Sequence, residues 1–338
     1  MDASLRQTLL ALDRPDEYAL RLADADFWAP YVCLVCRREG LEPPAGVTPG
    51  KPGTYPTFVL DSCWVVKFFG APFDGGHNFA IEDRVGRWLE DIPALPAAAL
   101  RASGTMFAPD GGWPWPYLVF RYLPGKALSE AGDCLSEPGW DDLADSLGRM
   151  ARLLHGTTPP GAPLFPDSWP PFVGFLARQR AACVENQRRW SSLPAHLVDQ
   201  IQDYLLPVER LIEAGREPHL VHADLTGDHL LGWVTDGRWS TSGLIDFGDA
   251  LSGSLFYELP ALYFNLLRGS PRRLAQFMQA YRPDADAWRD FVPRAMTAAL
   301  LHRFDVFADL FLYRPELAGA DSLQSLAAEL WRLPEVGA

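Results

Sequence analysis

The sequence predicts an α+β protein of two lobes, a small N-terminal one built on an antiparallel sheet and a larger, mainly helical C-terminal one. Three observations carry this. Short runs of β-branched and aromatic residues crowd the first third of the chain, apolar residues at helical spacing dominate the remainder, and strands and helices do not alternate as βαβ units would require. A length of 338 residues, with 48% hydrophobic and 22% charged residues, is ample for a globular core and leaves little room for long disorder.

Residues 4–40 read as a helical opening. It contains Cys33 and Cys36, but YVCLVCRREGL is an apolar run, and no second Cys or His pair has zinc-ligand spacing. This CxxC therefore reads as a buried helix face. The segment GVTPGKPGTYPTFVLDSCWVVKFFG is broken by Gly, Pro and Asp-Ser turn signals and reads as two or three short strands. HNFAIEDRVGRWLEDI, residues 77–92, sets Phe79, Val85 and Leu89 near one helical face. WPYLVFRYLPGKAL then gives a buried strand, Tyr117 to Tyr122, stopped by Pro124-Gly125. The stop divides the chain into an N-lobe at 1–122 (helical extension, sheet and helix) and a helical C-lobe at 123–338.

In the C-lobe, WDDLADSLGRMARLLHGTT repeats apolar residues at Leu143, Leu147, Met150, Leu153 and Leu154, the period of a helix. A Pro-rich loop, GTTPPGAPLFPDSWPPF, precedes helices expected to run to about residue 215. Residues 258–335 are helical by period, with breaks at GSPRR and RPDAD.

A net charge of −13 disfavours nucleic acid or an anionic membrane as partner. It suits a cationic small-molecule substrate, and it equally suits mere solubility. No run of 18 apolar residues and no cleavable leader is visible, which sets the cytoplasm as the expected compartment. The five scattered cysteines read as free thiols.

Two adjoining segments carry the chemistry. HLVHADLTGDHLLGWV holds His222, Asp224, Asp228 and His229, and WSTSGLIDFGDALSG holds Asp246 in a DFG. Each has an apolar, strand-like lead-in ending at an acidic residue. Phosphoryl transfer needs such a pair: one carboxylate to orient and deprotonate an attacking hydroxyl, another to hold a divalent cation against nucleotide phosphates.

On these residues the sequence resembles the aminoglycoside phosphotransferase and choline kinase superfamily, whose catalytic loop reads H-G-D-L-x-x-x-N before I-D-F or I-D-W. The VHAD of Val221 to Asp224 and the Tyr257-Glu258 pair are closest in flavour to hygromycin phosphotransferases. The resemblance implies a protein-kinase-like fold and ATP-dependent transfer of a γ-phosphoryl group to a small-molecule hydroxyl. By it, Asp224 is the catalytic base, Asp246 the metal ligand, Lys67 of WVVKFF the phosphate anchor, and Glu82 its partner. The hinge would fall at Arg121 and Leu123, with Phe120 and Leu231 lining the nucleotide site and Gly53 and Thr54 covering the phosphates. The cofactors implied are ATP and Mg²⁺, with Mn²⁺ able to serve. His229 stands where the family usually has Asn, so either His229 or the adjacent Asp228 completes the metal shell. Glu258 would brace the catalytic loop. An aminoglycoside acceptor fits the acidic balance; choline, a sugar, a homoserine-like metabolite or a macrolide are alternatives, as is a catalytically silent nucleotide-binding module.

Overall fold

A computed structural model describes residues 2–9, 12, 14–51, 53–108 and 112–333. The chain divides into two compact units: Met1–Pro124 with Gly243–Asp249, and Gly125–Ser242 with Ala250–Ala338.

The first unit opens with helices α1 (Asp2–Leu9), α2 (Pro15–Arg21) and α3 (Ala25–Glu39). Proline at its first position and Asp16 and Glu17 in its first turn suit α2 to start where it does. Asp24 caps α3 by accepting the Phe27 N–H at 3.0 Å, and Gly40, at φ 65°, ends it in the left-handed region. Then come β1 (Val47–Pro49), β2 (Thr57–Leu60), β3 (Trp64–Phe68), α4 (Gly75–Leu89), β4 (Leu100–Thr105) and β5 (Pro116–Arg121). The strands form an antiparallel sheet in the order β1-β2-β3-β5-β4.

Strand alternation divides this sheet chemically. Val66 and Phe68 of β3 join Val119 and Tyr117 of β5 in a core closed by Trp28, Tyr31, Val32 and Val35 of α3. Phe68 stacks on Trp28 at 4.7 Å. The intervening Lys67 takes the opposite face, where Tyr55, Phe69, Leu100 and Leu118 cluster. The segment that carries Asp246 is fastened to this unit by the Leu244 N–H, which donates to the Pro96 carbonyl at 2.8 Å.

The second unit begins with β6 (Lys126–Ala127), α5 (Leu128–Ala131) and α6 (Glu137–Gly156). Ser136 caps α6 on the Gly139 N–H at 3.1 Å, and Leu143, Ala144, Leu147, Ala151 and Leu154 form its buried stripe. After α7 (Trp169–Trp190) come two single turns, α8 (Ala195–Val198) and α9 (Ile201–Tyr204). The helical run expected to reach residue 215 is thus cut short, because Pro194 and Pro207 cannot donate to a continuing helix. Strands β7 (His219–Val221), β8 (Leu230–Thr235), β9 (Arg238–Leu244) and β10 (Leu251–Gly253) follow, β6-β8-β9 forming one small sheet and β10-β7 another.

The remainder is helical: α10 (Leu255–Ala261), α11 (Pro271–Tyr281), α12 (Ala285–Trp288), α13 (Phe291–Leu300), α14 (Val306–Tyr313) and α15 (Leu323–Leu330). Helices α6 and α11 approach so closely that a methyl group on Gly148 would sit 2.4 Å from the Phe277 carbonyl oxygen. All five cysteines are free thiols. No helix among the described residues is long and apolar enough to cross a membrane.

Candidate active site

Lys67 lies on β3 and Glu82 on the buried face of α4, beside Ile81 and Val85. The Lys67 ammonium donates to Glu82 Oε2 and to Asp246 Oδ1, each at 2.7 Å. The Lys67 and Glu82 side chains are 9% and 6% exposed, whereas Asp246 is 39% exposed. Burial alone would push Lys67 toward its neutral form, but the Asp246 and Glu82 carboxylates outweigh burial and hold it above the usual lysine range. Burial pushes the Glu82 carboxyl up, against the pull of Lys67. Asp246 has φ 64°, a left-handed turn that aspartate tolerates better than most residues. The product is a fixed ammonium beside a half-open carboxylate, a combination that can meet an anion and a hard cation together.

Gly53 and Thr54 are exposed on the loop between β1 and β2, whose base is closed by the Gly50 N–H on the Thr57 carbonyl at 2.7 Å. Thr57 is the register partner of Lys67, which sets this loop at the lysine's end of the sheet. Phe120 is half-buried against the Tyr55, Phe69, Leu100 and Leu118 cluster. The Arg121 N–H is taken by the Ala99 carbonyl at 2.8 Å, and its guanidinium lies over the Trp64 ring. Leu123 fits against Gly243, where a side chain would collide with it. Leu231 stands on β8, paired with Ala127.

In the second unit, β7 delivers His222 and Asp224 through Ala223, which is fully buried at φ 64°. Asp224 is 25% exposed at its side chain. His229 turns its Nδ1 back onto the Asp224 carbonyl oxygen at 2.6 Å, and Asp228 Oδ1 accepts from the Ser129 hydroxyl at 2.5 Å. The Gly227 N–H donates to Asn265 Oδ1 at 2.8 Å, anchoring the loop from α10's continuation.

Beneath the loop lies a buried network. Glu258 Oε2 accepts the His222 N–H at 2.6 Å and contacts His155 Nε2 at 3.4 Å. His155 also bonds the Tyr281 hydroxyl at 3.0 Å and stacks on His219 at 4.1 Å. Burial, helped by His155 and Arg216, drives His219 well below its ordinary pKa. Glu258 is lowered: burial opposes this, and the His155 and His222 contacts prevail. His219 escaped the sequence reading. Its only signal was its place at the head of the strand leading to His222.

The donor types suit a hard cation. Asp246 and Asp228 offer carboxylate oxygens, while His229 spends Nδ1 on its own loop. No three His, Cys, Asp or Glu side chains among the described residues gather as a metal cage. Magnesium held by one or two carboxylates and substrate phosphates needs none. Among acidic residues that could meet a cationic acceptor, Asp249 belongs to the first unit and Glu185, Asp305 and Asp309 to the second. Asp305 caps α14 on the Ala308 N–H at 3.3 Å.

The pattern of the phosphotransferase enzyme family, APH, matches residues 56–291, more than half of the chain. The chain belongs to this family. Lys67, Glu82, Asp224 and Asp246 fall inside the family match, while α1 to α3, Gly53 and Thr54 precede it.

The family fold is shared with solved structures. The GDP complex of wild-type aminoglycoside 2'-phosphotransferase-IIIa superposes with a TM-score of 0.60 at 17% identity, over 89% of this chain and 96% of that one. The streptomycin–ATP–APH(2")-IIa ternary complex gives 0.53 at 15% identity, over 91% and 98%. The chain thus has the kinase-like fold of aminoglycoside phosphotransferases, a small antiparallel sheet with a larger helical part. Among curated proteins, the lysine-specific demethylase JMJ21 of Arabidopsis thaliana is 23% identical over 271 residues. That match takes in 65% of this chain but only 29% of the demethylase, so this chain spans less than a third of that relative's length.

Proposed function

We propose that this chain is an ATP-dependent kinase that moves the γ-phosphoryl group to a hydroxyl of a small cationic molecule of the aminoglycoside kind. The observation that carries the reading is the Lys67 ammonium held at 2.7 Å by both Glu82 and Asp246. A lysine kept charged in a dry setting is suited to a polyanion, and phosphoryl transfer depends chiefly on such charge placement. Residues 1–122 serve as the nucleotide-binding lobe and 123–338 as the lobe that supplies the base.

Asp224 orients the acceptor hydroxyl and takes its proton as the oxygen attacks the γ-phosphorus, while the bond from that phosphorus to the β,γ-bridging oxygen breaks and ADP leaves. Its loop is kept in place by the bonds from His229 and Asn265. Lys67 draws charge off the triphosphate while Glu82 holds the lysine in position. Gly53 and Thr54 supply backbone N–H groups toward the phosphates. Because the Arg121 N–H is already taken within the sheet, the backbone donor at the hinge falls to Leu123. Asp246 would hold Mg²⁺, which supplies charge neutralisation on the phosphate oxygens. The aminoglycoside reading draws on the net charge of −13 and on the streptomycin carried by one structural neighbour.

The test is ATP-dependent ADP release across a panel of aminoglycosides, sugars, amino alcohols and macrolides. A true acceptor raises release well above the acceptor-free rate and is recovered as a phosphate monoester. Asp224→Ala then lowers kcat by about 10²–10⁴-fold with little change in ATP binding, the usual worth of a positioned base. Near-normal turnover in that variant overturns the assignment.

A further inference from the structure

We propose that Tyr18, on a helix that precedes the family match, is a positioning residue for the loop carrying Gly53 and Thr54. The proposal rests on the nucleotide-binding reading above. Tyr18 is 2% exposed on α2, and its hydroxyl donates to the Thr54 carbonyl at 3.1 Å. Thr54 itself is exposed, so a helical layer behind the sheet reaches through to hold the backbone of a surface loop.

The ring is seated with little slack. It lies over Gly70, where a methyl group would come within 2.3 Å of it, so the second residue past β3 must lack a side chain. Trp115 stacks against it with centroids 6.4 Å apart and planes 19° apart, and Phe73 packs at 6.2 Å. The next residue along the loop, Tyr55, donates its hydroxyl to the Phe73 carbonyl at 2.7 Å and places its ring 5.6 Å from the Lys67 ammonium.

Two tyrosines thus fix consecutive residues of the loop, one from within it and one from α2. A buried phenol is costly unless its hydroxyl finds a partner, so phenylalanine would be the easier tenant if packing were the whole purpose. Fixing the Thr54 carbonyl sets the peptide plane that follows and removes conformations that nucleotide binding would otherwise have to suppress. On this view α2 serves the nucleotide site through the Thr54 backbone.

The test compares the full-length wild type with Tyr18→Phe and with Tyr31→Phe, a control that removes another inward-facing hydroxyl, the one on the Leu5 carbonyl at 3.0 Å. ATP affinity is read by titration calorimetry, turnover by ADP release, and loop order by hydrogen exchange of the peptide covering residues 47–57. Tyr18→Phe weakens ATP binding and raises its KM about 3–10-fold, the net worth of one hydrogen bond, with kcat held within about twofold and faster exchange confined to that peptide. Tyr31→Phe leaves ATP binding at the wild-type value. Wild-type affinity and exchange in Tyr18→Phe overturn the proposal. So does an equal loss in both variants, accompanied by matching falls in Tm. A wild type that binds no nucleotide removes the kinase reading first, and this proposal with it.

Discussion

In the first unit Lys67 remains charged with its side chain 9% exposed, because two carboxylates face it, whereas in the second unit burial drives His219 and His302 toward their neutral forms even though the Glu213 carboxylate lies 3.7 Å from His219. Both arrangements hide ionisable groups at the base of a candidate functional residue. One does so by pairing charges and the other by suppressing them. Pairing leaves an electrostatic tool at the surface, with Asp246 still 39% open. Suppression leaves scaffolding: Glu258 spends its charge on the His222 N–H and on His155, fixing the turn that presents Asp224.

The contrast can be broken most forcefully at Lys67. Lys67→Ala strands Glu82 and Asp246 without their shared cation, and urea unfolding is expected to show a loss of about 3–5 kcal/mol, the usual cost of breaking a buried pair. A loss near zero would mean that the two carboxylates never needed the lysine for folding. At Glu258 the effect is smaller. Glu258→Gln keeps the shape and an acceptor oxygen but gives up the charge-assisted bond, for an expected loss of about 1.5–3 kcal/mol in the same measurement.

A third test uses pH, where the effect within any one pH unit is the smallest of the three. His302, ordinarily near 6.5, is lowered by burial to about 3. As pH falls through about 6.5 the unfolded chain takes up a proton that the folded chain refuses, so stability is full above that point and is lost on acidification toward 3. One such histidine contributes a slope of about 1.4 kcal/mol per pH unit. Glu82 works in the opposite sense: with its carboxyl raised, its contribution is full below the ordinary value of 4.5 and is lost as pH rises. The difference between wild type and His302→Asn in unfolding free energy against pH isolates the histidine, and the variant should be flatter by that slope. Parallel curves would show that His302 takes up its proton as readily in the fold as in the unfolded chain and would erase the contrast between the units.

Lys67, Glu82, Asp224 and Asp246 became candidates because the motifs that hold them resemble those of a known family, and each motif also has a local pattern: a β-branched strand, an amphipathic helix face, an apolar run ending in an acid. The strands of the sheet were legible from such local patterns, with one exception. Strand β4 reads LRASGT, with a glycine inside it and a register shift between Leu100 and Ala102, so no alternation announces it. The N-terminal helices were legible as helices, but not as the layer that closes the sheet, since contacts such as Trp28 with Phe68 are set by tertiary packing. The network around Glu258 was hidden more deeply. His155, His219 and Tyr281 lie far apart in the chain, and an isolated histidine in a sequence carries no sign of its neighbours. Arg121 illustrates a third kind of gap: the pattern marks where the strand stops, but only the backbone pairing shows which N–H is already spent.

Ala223 and Asp246 both adopt left-handed backbone, at φ 64° each, immediately before one acidic turn and at the other. For Ala223, buried completely, a larger or β-branched replacement would face strain and crowding together. Random libraries of this gene should therefore return almost no survivors at position 223 beyond glycine and the smallest residues. An observer scoring tolerance alone would rank this methyl-bearing position alongside the candidate carboxylate next door, although its intolerance comes from torsion angles and not from chemistry.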